Sequence, residues 1–186
     1  MAGIKLDFKS GDIWFASVQK CFGLPAGLGI LICSPKVLEC ARIENIRNHY
    51  NSLLFLDEMM IKWETTHTPN ILGIYLLMRV LESIKPIADV EKTIQGRYRK
   101  WETFFDGKSR QLNFLIGNKA VRSNTVLAIQ ATPELIQKVK SKAQKNGFML
   151  GNGYADLKNF TFRIANFPAI QRVEIARLMD FFYNFI

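Results

Sequence analysis

Ser17-Val18-Gln19-Lys20-Cys21-Phe22-Gly23-Leu24-Pro25-Ala26-Gly27-Leu28-Gly29 joins two short apolar runs and carries a single lysine at the edge of the first. The run before it, IWFASV at residues 13–18, and the run after it, ILIC at residues 30–33, have the length and composition of strands. They predict two buried strands separated by a glycine- and proline-rich break. A lysine among buried neighbours is uncommon, because a charge taken out of water without a partner costs free energy. Desolvation or a nearby cation lowers the pKa of such an amine, which then becomes a nucleophile able to form a Schiff base. The alternative is a lysine whose stem follows the strand end while its head reaches water. Position alone leaves both readings open.

Outward from that stretch, the pattern is one of strands and helices. Ser34-Pro35 reads as an N-cap followed by proline in the first turn, opening a short helix through residue 42. Residues 45–60 carry mixed, weak signals. Thr68-Pro69-Asn70 precedes a helix over 71–84, with Ile71, Ile74, Tyr75, Met78 and Leu81 at helical spacing, and Pro86 stops it. A second helix, over 88–106, places Val90, Ile94, Tyr98, Trp101 and Phe105 on one stripe and closes at Gly107. Strands are then expected at 111–116 and 125–131. Thr132-Pro133-Glu134 starts a helix that ends at Asn146-Gly147, followed by strands at 148–150 and 160–165 and a last helix opened by Phe167-Pro168. The fold class expected is α/β, with a boundary near residues 95–107.

Composition narrows the class. The chain has 186 residues, 48% hydrophobic and 22% charged, which excludes a disordered tail. No apolar run approaches the roughly 18 residues of a membrane helix, so no membrane partner is expected. MAGIKLDFKSGD lacks the apolar stretch of a signal peptide. Three cysteines, Cys21, Cys33 and Cys40, show no CxxC spacing. A disulfide scaffold and a zinc ribbon are therefore not expected, no metal is called for, and a reducing, cytoplasmic setting fits. The net charge of +9 would suit a polyanion, but the basic residues are scattered. Their densest run, Lys138, Lys140, Lys142 and Lys145, falls on an ordinary surface helix, and no nucleic-acid motif accompanies it.

SVQKCFGLPAGLG resembles the lysine segment of class V, fold-type I, pyridoxal-phosphate-dependent aminotransferases, and most of all their phosphoserine aminotransferase branch. That pattern is a small residue, any residue, Gln-Lys, and then a Gly-Pro-Ala-Gly turn. The resemblance implies that Lys20 forms the Schiff base with pyridoxal 5'-phosphate and moves the proton between the substrate and the cofactor. It also implies that Gln19 hydrogen-bonds the cofactor phosphate; Gln19 by itself reads as a surface amide.

Two further segments match. His67-Thr68-Pro69 before a helix is similar to the family's threonine that reaches the cofactor phosphate of the other subunit, with His67 where the branch often has asparagine. A hydroxyl and free N–H groups at a helix start suit an anion, although Thr68 alone reads as an N-cap. Phe162-Arg163-Ile164-Ala165-Asn166-Phe167-Pro168 resembles the family's strand-borne arginine, which implies that Arg163 grips the substrate α-carboxylate as a bidentate pair. Taken alone, Arg163 could equally pair with a surface acid.

The resemblance implies half of a family chain. Residues 1–95 would be the C-terminal part of the large cofactor-binding domain and residues 96–186 the small C-terminal domain, with the active site at a homodimer interface. The chain is expected to start just after the acidic residue that holds the pyridine nitrogen; Asp7 and Asp12 read instead as polar turn residues. The implied reaction is transfer of an amino group between an amino acid and a 2-oxo acid, phosphoserine and 2-oxoglutarate being the leading pair. Where the phosphoserine branch has a His-Arg pair, Gly153-Tyr154-Ala155-Asp156-Leu157-Lys158 is closer to serine–pyruvate and alanine–glyoxylate relatives. Two rivals stand beside these readings: a non-catalytic fragment of the same fold, and a nucleic-acid binder supported by charge alone.

Overall fold

The computed structural model describes residues 2–185. Lys5–Ile84 form one compact unit, and Ala2–Ile4 with the residues from Lys85 onward form a second. The sequence places the boundary near residues 95–107, whereas the two units divide between Ile84 and Lys85. It falls earlier because Val90, Ile94, Tyr98 and Trp101 are all buried, which commits their helix to the second unit. Both contain strands and helices, as expected of an α/β chain; the first runs two strands and then three helices. No helix among the described residues is long and apolar enough to cross a membrane.

In the first unit, β1 (Ile13–Ser17) pairs antiparallel with β2 (Gly29–Cys33), with Ile13 opposite Cys33 and Phe15 opposite Leu31. α1 (Pro35–Glu44) starts as expected: the Ser34 hydroxyl accepts the Val37 N–H at 3.3 Å, and Asn45 closes the helix in the left-handed region. α2 (Leu53–Ile61) falls in the stretch of weak signals. Its sequence, LLFLDEMMI, is apolar nearly all round, so it carries no clear helical period, and Ser52 caps it. α3 (Ile71–Ser83) is capped by Asn70, whose Oδ1 accepts the Gly73 N–H at 2.9 Å.

The strands are placed as expected, but they are not buried. Ile13, Phe15, Leu31 and Ile32 are exposed, and α3 contains no buried residue. Asp7 and Asp12 are turn residues, as expected. The Asp7 carboxylate accepts the Lys9 N–H at 3.0 Å, and Asp12 accepts the Ser34 hydroxyl at 2.8 Å.

The second unit holds α4 (Ile87–Thr103), which runs into a π-type turn at Phe104–Lys108, and a four-stranded antiparallel sheet in the order β3-β4-β6-β5. These strands are β3 (Asn113–Phe114), β4 (Val126–Gln130), β5 (Gly151–Asn152) and β6 (Thr161–Ala165). α5 (Pro133–Lys145) opens at the Thr132 cap. α6 is Arg172–Phe185. Three expectations shift. The strand expected at 111–116 shrinks to two residues, and the strand expected at 148–150 forms instead at Gly151–Asn152. The last helix starts at Arg172, because the residues after Phe167-Pro168 first make a turn in which the Ile170 N–H reaches the Phe167 carbonyl at 3.1 Å. The core is aromatic: the Phe182 ring stacks on Phe162 at 5.7 Å and meets Trp101 edge-on at 5.8 Å, with Phe104 and Phe105 beside it.

Candidate functional site

Lys20 sits in the loop that closes the β1–β2 hairpin. The Val18 N–H reaches the Leu28 carbonyl and the Leu24 N–H reaches the Val18 carbonyl, each at 3.2 Å. The Lys20 carbonyl accepts the Gly23 N–H at 3.0 Å, and Gly23 takes a positive φ of 71°, where side chains with a Cβ are strained. The turn therefore has a fixed shape, set by hydrogen bonds between residues near in sequence. Val18 and Phe22 are buried and Gln19 is half-buried, but Lys20 itself is exposed. The enclosure expected from its apolar neighbours is not supplied by these residues. Its amine makes no ion pair among the described residues. Burial pushes the neighbouring Cys21 thiol above its ordinary pKa, which leaves it a poor nucleophile.

His67 and Thr68 lie in the same unit and line an open cavity of about 760 Å³, together with Gly27, Gly29 and Asn70. That volume is in the range of small-molecule sites. Gln19 and Lys20 are not among its lining residues. Because Asn70 caps α3, Thr68 is not the N-cap, and its hydroxyl has no partner among the described residues. His67 is held by a ring contact with Tyr50 at 4.5 Å and by Thr66, whose hydroxyl lies 3.2 Å from Nδ1. Asp57 also lines the cavity, but Arg42 neutralises it at 2.7 Å.

Arg163 belongs to the second unit. β6 alternates, so Phe162 and Ile164 enter the core while Arg163 projects from the opposite face of the sheet. Its Nε donates to the Asn152 carbonyl at 2.6 Å, and its guanidinium lies 4.1 Å from the centre of the Tyr154 ring. Those two contacts fix the plane and leave the terminal nitrogens without a protein partner among the described residues. A guanidinium so held can take a carboxylate end-on through two parallel hydrogen bonds. Gly153 makes the turn beside it possible: a Cβ there would collide with the Thr161 hydroxyl and the Leu157 carbonyl.

Several supporting groups carried no signal in the sequence. Asn166, fully buried, donates to the carbonyls of Ile94 at 3.1 Å and Asn124 at 2.8 Å, tying the end of β6 to α4 and to the chain entering β4. Burial pushes Arg97 below its ordinary pKa; it reaches the Phe167 carbonyl at 3.2 Å. Arg122 lies 4.0 Å over the Phe114 ring and donates to the Ile116 carbonyl at 2.8 Å and the Asp106 carboxylate at 3.3 Å. The contacts of Asn166 and Arg97 join residues 42 to 72 apart in the chain, which no local pattern encodes.

The proteins that this chain is similar to, in fold and in sequence, are aminotransferases. No family model matches the chain. The structure superposes on alanine–glyoxylate aminotransferase from Nostoc with a TM-score of 0.79 at 18% identity, covering 95% of this chain and 49% of that one, a likeness of fold. The sequence likeness runs to phosphoserine aminotransferases. The chain is 26% identical to that of Halalkalibacterium halodurans over 183 residues, 97% of this chain and 48% of its relative. It is 30% identical to that of Cytophaga hutchinsonii, with a TM-score of 0.82, over 95% of this chain and 50% of the other. The chain therefore spans about half the length of the curated relatives it matches.

Proposed function

We propose that this chain carries part of the apparatus of a pyridoxal 5'-phosphate-dependent aminotransferase that exchanges the amino group of phosphoserine with 2-oxoglutarate. The observation that carries this reading is the hydrogen-bonded β1–β2 turn presenting Gln19-Lys20, in a chain similar along nearly all its length to phosphoserine aminotransferases. The first unit is then the C-terminal part of the large cofactor domain, and the second is the small domain.

The donor set fits the cofactor: an unpaired amine at Lys20, an unpartnered hydroxyl at Thr68 and an amide at Gln19. When bound, the cofactor supplies an electron sink for the charge left at the substrate Cα. Lys20 would hold the cofactor, and its Nζ, once free, would take the proton from the substrate Cα and pass it on to the cofactor in the first half of the exchange, and carry out the same transfer in reverse in the second half. Gln19 donates its side-chain amide to the cofactor phosphate. Thr68 and His67 supply a hydroxyl and a ring N–H to the same kind of group, in a homodimer to the phosphate held by the other subunit. The free terminal nitrogens of Arg163 bind the substrate α-carboxylate. With the Tyr154 stack and the Asn152 carbonyl fixing the guanidinium plane, the bound acid is held in one orientation. A cytoplasmic setting accords with the free cysteines.

Adding pyridoxal phosphate, reducing with borohydride and mapping peptides by mass tests the reading. The expected result is one adduct on Lys20, absent in Lys20→Ala, with phosphoserine as the preferred amino donor. Label scattered over surface lysines would overturn it for this chain. The second reading is a serine–pyruvate or alanine–glyoxylate exchange, favoured by the loop Gly153–Lys158, which lacks a His-Arg pair. Preference for serine or alanine over phosphoserine as donor would select it.

A further inference from the structure

The β1–β2 sheet is apolar on both faces and open on both edges. By the register, Ile13, Phe15 and Leu31 share one face, and Trp14 and Ile32 the other. Sheets of that kind occur where both faces are covered, and two strands alone are marginal in water. Yet Phe15, in the middle of β1, is 84% exposed, and no further strand pairs with either edge among the described residues. α3 repeats the pattern: Ile71 is 72% and Leu72 67% exposed, on a helix rich in large apolar residues. Large apolar residues exposed in this number, on both strands and on a helix of one unit, mark an interface.

The relatives indicate what covers it. Their chains are matched over about half their length, so each carries a further stretch roughly as long as this chain that these 186 residues do not include. We propose that the open edges and outer faces of β1–β2, with the outer face of α3, are the docking surface for that other half of the same fold. The docked polypeptide adds strands to the hairpin and covers Phe15 and the exposed face of α3, as a separate chain or as part of the same one. A second copy of this chain is the competing occupant. It would bring another hairpin with the same uncovered faces and leave the relatives' other half unaccounted for. The inference rests on the aminotransferase reading, because docking also gives the exposed Lys20 loop the walls it lacks.

The test uses, as probe, the half of the Cytophaga hutchinsonii enzyme that this chain does not match. It is added as a separate polypeptide in one arm and fused ahead of this chain in the other. Light scattering after size exclusion and amide hydrogen exchange are the readouts. The expected outcome is a one-to-one complex in the first arm and slowed exchange at residues 13–33 and 71–83 in both arms. Phe15→Asp should weaken the complex by about tenfold or more. Met149→Asp, at an equally exposed apolar residue of the other unit, should not change it. Two results overturn the inference: no added protection in either arm, or a homodimer of this chain that Phe15→Asp dissociates and that excludes the probe. Failure of the chemistry is distinguishable. A complex without an adduct on Lys20 leaves the docking surface standing and removes the aminotransferase reading. An adduct on Lys20 in the unaided chain, with the hairpin already protected, does the reverse.

Discussion

The two units of this chain are similar in composition and opposite in closure. The second buries an unbroken aromatic cluster, from Tyr98 on α4 to Phe182 on α6, beneath a sheet whose inward residues all find neighbours. The first has strands and helices of equal local quality, with caps at Ser34, Ser52 and Asn70, yet leaves Phe15, Ile71 and Leu72 in water. Local structure is therefore the same in kind in both, and tertiary burial separates them. Capping and strand propensity act over a few residues, while the hydrophobic term needs partners that the first unit does not contain.

The largest expected effect breaks this contrast directly. Phe182→Ala removes a ring packed against Trp101 and Phe162 and should cost about 4 kcal/mol in guanidinium unfolding of the main transition. Phe15→Ala in the unaided chain should change that midpoint by no more than about 0.5 kcal/mol. Equal costs would refute the contrast.

Arg122 comes next. Its side chain is 5% exposed, and Arg122→Met leaves Asp106 and the Ile116 carbonyl short of a donor. A loss of about 3 kcal/mol is expected, read by the same titration.

The same cluster predicts an acid sensitivity of the second unit. Burial pushes the Asp106 carboxyl up, but hydrogen bonds from Lys119 and Arg122, with their charges, outweigh it and hold it below its ordinary value of 3.8. A carboxyl depressed in the folded state contributes stability above that value and loses it as pH falls through the folded pKa. Tm should therefore drop between about pH 4 and pH 2, and Asp106→Asn should flatten that drop. Asp12, also lowered, by the Ser34 hydroxyl first and Lys36 second, is exposed. Asp12→Asn should leave the profile as it was.

The smallest effect sharpens the comparison. Asn70→Ala and Thr132→Ala remove equivalent helix caps, one in each unit, and each should cost its helix about 1 kcal/mol. Hydrogen exchange should show the loss as local fraying of α3, and as a fall in global stability for α5, whose Ile136 and Val139 are core residues.

Much of this was legible in the amino-acid order. The Ser34-Pro35 and Thr132-Pro133 starts, the stripe from Val90 to Phe105 and both strands flanking Lys20 appear where spacing and capping chemistry put them, because these signals are local. α2 was missed because an all-apolar segment has no period. The strand at Gly151–Asn152 was missed because two residues without β propensity pair only when β6 is already there. Of the candidate site, the residues at positions 19, 20, 67, 68 and 163 were readable as types in a pattern. The Tyr154 stack on Arg163, the release of Thr68 from capping by Asn70, and the anchoring of β6 by Asn166 were not.

The sequence by itself determined the capped helix starts after Ser34 and Thr132, the two strands flanking Lys20 and the turn between them, since each depends on contacts within a few residues. Only the tertiary structure decided which apolar faces are satisfied. Burial is a relation between distant segments, and the residues that read as a buried hairpin have none of the chain described here to cover Phe15.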